Sequence, residues 1–269
     1  MLGCVRAVER GQLIGSVDFG FFVECVLPAK EEETMTGKVE GLEEFVQGRL
    51  NILTLKCYDI NDAWFTAVRS ALERGKWRKV TDGSFKGTRR RELDYLTLQV
   101  SYPGVRPLSV QLSPGCPVPA PVDSDFIDRY LDYLIGEGKE EGESYTYGEF
   151  IAQQMPVILD KFKKGGFGTN QCCIMVGDCE SVRLADPPCL RVIDMRVDNG
   201  VLHWFLYFRS WDLWGGLPAN LAGLQLLKEW VAAELGVFDG EIIASSKGAH
   251  VYDMVAEKLM DYYGLEEGD

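Results

Sequence analysis

Cys189 follows two prolines in "DPPC" (186–189), and from Arg209 the chain reads "RSWDLWGGLPAN" (209–220). Further on, "HVY" sets His250 and Tyr252 one residue apart. A cysteine works as a nucleophile only as thiolate, and nearby positive charge favours that form. Arg209 carries such a charge permanently, and its forked donors also suit a phosphate, with Ser210 adding a hydroxyl. Asn220 offers one carbonyl acceptor and one amino donor, the complement of the N3–H and O4 of a uracil ring. His250 and Tyr252 would point the same way on a strand and could hold a sugar hydroxyl. Each residue also has a plainer reading. Free cysteines are commonly buried and inert, Arg209 suits a surface ion pair, Ser210 a turn, Asn220 a helix N-cap, and the His–Tyr pair a core contact.

The elements that must position these groups can be read from the sequence pattern. "LRVIDMRV" and "VLHWFLYFRS" flank "DNG", a strong hairpin signal. A strand leaving Cys189 and one arriving at Arg209 would then end on the same side. "LNILTLKCYDI" (50–60), "ELDYLTLQVSYP" (92–103), "QCCIMVG" (171–177) and "GEIIASSKGAHVY" (240–252) read as strands, the third short and buried. "NDAWFTAVRSALERG" (61–75) reads as a helix with an Asn or Asp cap and Gly75 as its stop. "DSDFIDRYLDYLIG" (123–136) is amphipathic, with Phe126, Ile127, Tyr130, Leu131 and Leu134 on one side. "YGEFIAQQMPVILDKFKKG" (147–165) is expected to break or bend near Pro156. "LAGLQLLKEWVAAELG" (221–236) is the most apolar helix, and "DMVAEKLMDYYG" closes as another. Strand-like pieces near "GSVDFGFFVECVL" precede a polar stretch, "PAKEEETMTGKVEG", at the start of the chain. Strands and helices intermix without a regular βαβ rhythm, so the expectation is an α/β (α+β) fold with a mixed sheet in a single domain.

The bulk numbers bound the partners. With 269 residues, 46% of them hydrophobic, the chain can bury a core without staples. A net charge of -13 disfavours a nucleic-acid polymer or an anionic membrane, so a phosphate ligand would need a local cationic pocket. The eight cysteines include no C-x-x-C pair and the chain has two histidines, so no metal site is expected. "MLGCVRAVERGQLIG" lacks a signal-peptide pattern and no apolar run reaches spanning length, so a cytoplasmic protein with free thiols is expected.

Taken together, "PPC", "RSWDLWGGLPAN" and "HVY" resemble the thymidylate synthase family, and "RSWDLWGG" is similar to its archaeal branch. The spacings from Cys189 to Arg209 and from Asn220 to His250 match those of the family. The resemblance spans about residues 145 to 253, including "YTYG"; upstream it rests on "GTRRREL" (87–93), with residues 1–60 divergent. It implies a bent mixed sheet and a homodimer with the sheets back to back. The implied reaction is C5 methylation of dUMP, with 5,10-methylenetetrahydrofolate, or methylene-tetrahydromethanopterin, as co-substrate and no metal. Cys189 would add to C6, a case of nucleophilic covalent catalysis. Arg209 and Ser210 would hold the phosphate, Asn220 would read the uracil, and His250 and Tyr252 would bind the 3′-hydroxyl. Asp212 and Gly216 match positions that contact the pyrimidine or pterin. Arg91, and after it Arg90, is the expected further phosphate arginine.

The sequence departs from the family in four places. Thr169 and Asn170 stand where two adjacent arginines reach the partner subunit's phosphate. The sequence closes at Asp269, soon after His250, without the usual closing tail. The catalytic Glu has no clear match, with Asp128, Asp132 and Glu143 as candidates, and Leu190 replaces a His after the nucleophile. Three other readings stay open: a uridylate hydroxymethylase, a nucleotide-binding regulator that kept the pocket and lost turnover, and a plain structural subunit.

Overall fold

The computed structural model describes residues 49–122, 124–136, 138–139 and 143–266, without the side chains of Ser124 and Asp128. The strand-like pieces expected upstream of Arg49 lie outside these. The strands are β1 (Ile52–Cys57), β2 (Lys76–Lys79), β3 (Arg89–Val100), β4 (Cys173–Met175), β5 (Leu190–Asp198), β6 (Val201–Phe208), β7 (Trp211–Asp212) and β8 (Phe238–Tyr252). The helices are α1 (Ile60–Arg74), α2 (Ser124–Ile135), α3 (Gly148–Gly165), α4 (Gly216–Leu235) and α5 (Asp253–Tyr263).

The strands form one mixed sheet in the order β1-β3-β8-β6-β5-β4, with β2 on β3 and β7 on β8. β1 pairs parallel with β3 and β6 with β8; β3–β8 and β5–β6 are antiparallel. The β5–β6 hairpin turns at Asn199 (φ 49) and Gly200 (φ 77), the positive φ pair that a two-residue turn of this hand needs. α4 is buried nearly all round, with Leu217, Leu221, Leu224 and Val231 sealed from solvent. At about 2 kcal/mol for each fully buried aliphatic side chain, it is the main anchor of the helical layer. Gly223 lets α2 close on it: a Cβ there would stand 2.7 Å from the Tyr130 ring and 2.9 Å from Leu134.

Local details differ from the sequence reading. α1 is capped by Asp59, whose Oδ1 accepts from the Asp62 N–H at 2.9 Å. α3 runs through Pro156 as one helix. Its start carries a capping box: Thr146 Oγ1 accepts from the Glu149 N–H, and Glu149 accepts from the Thr146 N–H. β4 is the sheet's edge, so only Ile174 is buried while Met175 is exposed. The short strand β2, at "KWRK", had no periodicity to reveal it.

One irregularity sets up the site. Along β6 and β8 the buried positions are Trp204, Leu206, Phe208 and Ile242, Ala244, Ser246; beyond them Trp211, Ala249 and Val251 continue the inward face, and His250 between the last two is buried on the opposite one. On β3, buried Arg91 and Leu93 give way to Leu96 and Leu98. The inward parity therefore changes on three neighbouring strands at one row, where Gly248 takes φ +63. A residue displaced from the pleat in this way bends a sheet and re-aims nearby side chains.

Candidate active site

The hairpin brings Cys189 to Arg209. The Arg209 backbone N–H donates to the Cys189 carbonyl at 2.8 Å, one step beyond the Leu190–Phe208 pair. The guanidinium folds back over the segment before the cysteine. Its Nε donates to the carbonyls of Pro187 (3.1 Å) and Pro188 (3.2 Å), and it pairs with Asp186 at 2.9 Å. The prolines thus supply carbonyl acceptors that dock the arginine, with no N–H of their own to satisfy.

Cys189 is half-buried. Burial pushes its thiol above the usual range; Arg209 opposes this, and Asp186 and Asp212 add to the rise. The sequence led us to expect a thiolate, whereas this balance keeps the proton on sulfur at neutral pH. Asp186 both raises the thiol and occupies the arginine. Asp186→Asn is therefore expected to speed iodoacetamide alkylation at Cys189 several-fold at pH 8, and Arg209→Met to slow it. Peptide mass mapping reads the site; equal rates in both variants would contradict this balance.

Tyrosines surround the thiol. Tyr130, Tyr133, Tyr145, Tyr147 and Tyr252 all feel the charge of Cys189, and burial raises each of them, Tyr145 and Tyr252 to about 12. They are neutral donors and acceptors at any working pH. The Tyr147 hydroxyl accepts from the Leu190 N–H at 3.4 Å, fixing the backbone just after the cysteine. Apart from Tyr252, these residues were missed as functional from sequence. Tyr130 was assigned only to an apolar helix face, and "YTYG" was noted without roles for its two tyrosines.

Asn220 is not an N-cap. It is the fifth residue of α4, only 8% exposed, and its amide is oriented from both ends. Its Oδ1 accepts from the Trp211 indole N–H at 2.9 Å, and its Nδ2 donates to the Tyr130 hydroxyl. Asp212, expected to contact substrate or cofactor, is turned toward the start of α4. Its carboxylate accepts from the N–H groups of Trp214 (3.0 Å) and Gly215 (3.3 Å), fixing the turn that leads into α4. Burial nevertheless raises Asp212, and it remains within charge range of Cys189 and Tyr252. Gly216 is the first residue of α4; a Cβ there would lie 3.4 Å from that of Asp212.

His250 and Tyr252 end β8 on one face, their rings 4.7 Å apart and near perpendicular. His250 Nδ1 lies 2.8 Å from the Gly248 carbonyl. A carbonyl only accepts, so this nitrogen carries the proton and Nε2 is left as an acceptor. Nε2 is buried without a hydrogen-bond partner among the described residues. Burial, with Arg90 adding to it, lowers His250 to about 4. Its folded value lies below its unfolded 6.5, so the stabilisation is full above pH 6.5 and is lost as pH falls toward 4. The loss is on the order of 3 kcal/mol. Chemical denaturation from pH 7 to 4 should show this slope, and His250→Gln should flatten it; an unchanged slope in the variant would contradict the assignment.

Arg91 is a correction to the sequence reading. It pairs with Val251 on the inward side of the sheet, is 3% exposed, donates to the Leu72 carbonyl of α1 at 3.1 Å and lies over the Trp77 ring. Its neighbour Arg90 pairs with Tyr252 and lines a cleft of about 480 Å³ with Arg78, Lys79, Arg209, Ser210 and Lys247. Strand alternation alone separates the two arginines. Thr169 and Asn170 sit elsewhere: Asn170 receives Arg196 at 3.4 Å beside a different pocket.

A second cleft, of about 840 Å³, is lined by Phe126, Tyr130, Tyr133 and Tyr147, with Arg129, Asp132 and Glu143 at its polar parts. Its aromatic walls suit a flat heterocycle such as a pterin. Two of the three carboxylate candidates, Asp132 and Glu143, are thus on this cleft; the Asp128 side chain is outside the description. Among the described residues no group of three or more His, Cys, Asp or Glu converges as a metal site, and no helix is long and apolar enough to cross a membrane.

Fold and site together define a mixed-sheet α/β protein whose hairpin delivers a half-buried thiol to an arginine between a cationic cleft and an aromatic one. The comparisons name the family it resembles: residues 152–263 match the thymidylate synthase family model. A Methanosarcina acetivorans protein provisionally named a thymidylate synthase is 25% identical over 217 residues, covering 78% of this chain and 93% of that protein. A similarly named Methanococcoides burtonii protein is 26% identical over 212 residues, covering 76% and 92%. The structure of T4 phage thymidylate synthase shares the fold, with TM-score 0.56 and 19% identity over 76% of this chain and 82% of that one.

Proposed function

We propose that this chain is a thymidylate synthase that methylates dUMP at C5. The observation that carries the reading is the Cys189–Arg209 junction, gathered with Asn220, His250 and Tyr252 at one end of the sheet. Cys189 sulfur bonds to C6 of the pyrimidine, and the C5–C6 electron pair moves to C5 and the C4 carbonyl. C5 then bonds to the one-carbon unit and loses its proton, the bond from that carbon to the carrier nitrogen breaks, and hydride addition to the same carbon expels the Cys189 sulfur. When bound, the reduced pterin carrier supplies both that carbon and the hydride, and the aromatic cleft would hold it through Phe126, Tyr130 and Tyr133. Release of Cys189 restores the C5–C6 double bond.

The chain's own groups have separable tasks. Asn220, held by Trp211 and Tyr130, keeps one N–H and one carbonyl lone pair for O4 and N3–H of uracil. His250 Nε2 accepts from the 3′-hydroxyl, beside Tyr252. Arg209 and Ser210 meet the phosphate in the cationic cleft. Arg209 then adds its charge to a thiolate that the free protein disfavours, so nucleotide binding and thiol activation share one guanidinium. Half-buried Phe205, Tyr207 and Ile243 on the sheet's other face suit the back-to-back homodimer.

Tritium release from dUMP labelled at C5 tests the reading with each carrier, methylenetetrahydrofolate and methylene-tetrahydromethanopterin. Mass analysis of the product should show a methyl group. No release with either carrier overturns the proposal, and a hydroxymethyl product reassigns the reaction.

A further inference from the structure

The cationic cleft has a feature that the spacing of the motifs does not explain. The sequence offset that pairs Phe208 with Ser246 also pairs Trp211 with Ala249 and Asp212 with His250. β6 and β7 are therefore one strand track interrupted at Arg209 and Ser210, and the same offset sets Arg209 against Lys247 and Ser210 against Gly248. All four line the cleft, at the row where the sheet changes parity. β8 thus carries a lysine beside the arginine read as the phosphate anchor.

The charge balance leaves two lysines without a counter-ion, and the strand pairing chooses between them. Five cationic residues line the cleft (Arg78, Lys79, Arg90, Arg209 and Lys247) against Asp82, Glu92 and Asp94. Arg78 and Arg90 both pair with Glu92, Arg78 also pairs with Asp94, and Arg209 pairs with Asp186. Lys79 and Lys247 are both exposed and neither has an ion pair among the described residues; of the two, Lys247 is the one that stands on β8 against Arg209. With Asp186 counted against Arg209, the cleft keeps a local excess of one positive charge on a chain of net charge -13, a setting that favours an anion.

We propose that Lys247, with Arg90 beside Tyr252, completes the phosphate site from within one chain. This replaces the charge that the Thr169–Asn170 positions lack. The inference rests on the thymidylate synthase reading and deepens it. A consequence is that phosphate recognition does not depend on those two residues of either subunit.

The test is equilibrium binding of dUMP and of deoxyuridine, which lacks only the phosphate. Lys247→Met should weaken dUMP roughly 10-fold and Lys247→Glu roughly 100-fold, with deoxyuridine unchanged and a shallower salt dependence for dUMP. The Thr169→Ala/Asn170→Ala double variant should leave the dUMP to deoxyuridine ratio as it is. An unchanged ratio in both Lys247 variants, or a collapsed ratio in the double variant, overturns the inference while leaving the thymidylate synthase reading intact. Failure of the unaltered chain to bind dUMP at all overturns that reading, and the inference with it.

Discussion

Replacing Cys189 with Ala is expected to lower tritium release from dUMP by ~10,000-fold or more while dUMP still binds. The nucleophile is the one group whose removal closes the covalent route, because among the described residues no other thiol takes part in this constellation. Cys57 is buried and pushed up to about 12; Cys172 and Cys173 are raised by burial and lie by the edge strand β4. The change is small and leaves the supporting contacts standing. The Arg209 N–H still reaches the residue 189 carbonyl, and Tyr147 still accepts from the Leu190 N–H. A loss of turnover with dUMP affinity retained would therefore report chemistry and not folding. Residual turnover within roughly 10-fold of the parent would place the nucleophile elsewhere.

The second large effect is a change of base. Asn220→Asp should lower kcat/KM for dUMP roughly 100-fold and raise it for dCMP, since the lost donor is the one that meets O4. The site tolerates the exchange geometrically. Trp211 would still donate to one carboxylate oxygen, and the Tyr130 hydroxyl, neutral at working pH, would turn to donate to the other. What changes is the edge offered to the ring: an acceptor replaces the donor that met O4, which suits the amino group of cytosine, while a proton shared between the carboxyl and N3 bridges the other oxygen to the ring. Parallel assays of dUMP and dCMP with the same carrier decide it. An unchanged preference would mean that Asn220 only ties α4 to Trp211 and Tyr130.

Much of this arrangement was legible in the sequence where a local rule fixes geometry. The "DNG" turn set the hairpin register, and with it the meeting of Cys189 and Arg209. The one-residue spacing of His250 and Tyr252 fixed their common face. What the sequence hid depends on contacts between distant elements. Asn220 reads as a helix cap until Asp212, two turns earlier in the chain, is seen fixing the turn that leads into α4. Arg90 and Arg91 are interchangeable in "TRRREL" until strand β8 decides which faces Tyr252. The partner of Lys247 is set by the track shared by β6 and β7, and no short motif encodes that row. The thiol's ionisation was misjudged for a related reason. Arg209 was identified as its neighbour, but Asp186 and the burial that outweigh it come from packing.

A single measurement reaches the central claim. 5-Fluoro-dUMP carries fluorine where C5 must lose a proton, so a chain that attacks C6 and accepts the one-carbon unit stops there with its sulfur still bonded. Incubated with this nucleotide and the methylene carrier, the intact protein should gain the mass of one ternary adduct, and peptide mapping should place it on Cys189. Reversible binding with no added mass, or an adduct on any other cysteine, would contradict the assignment.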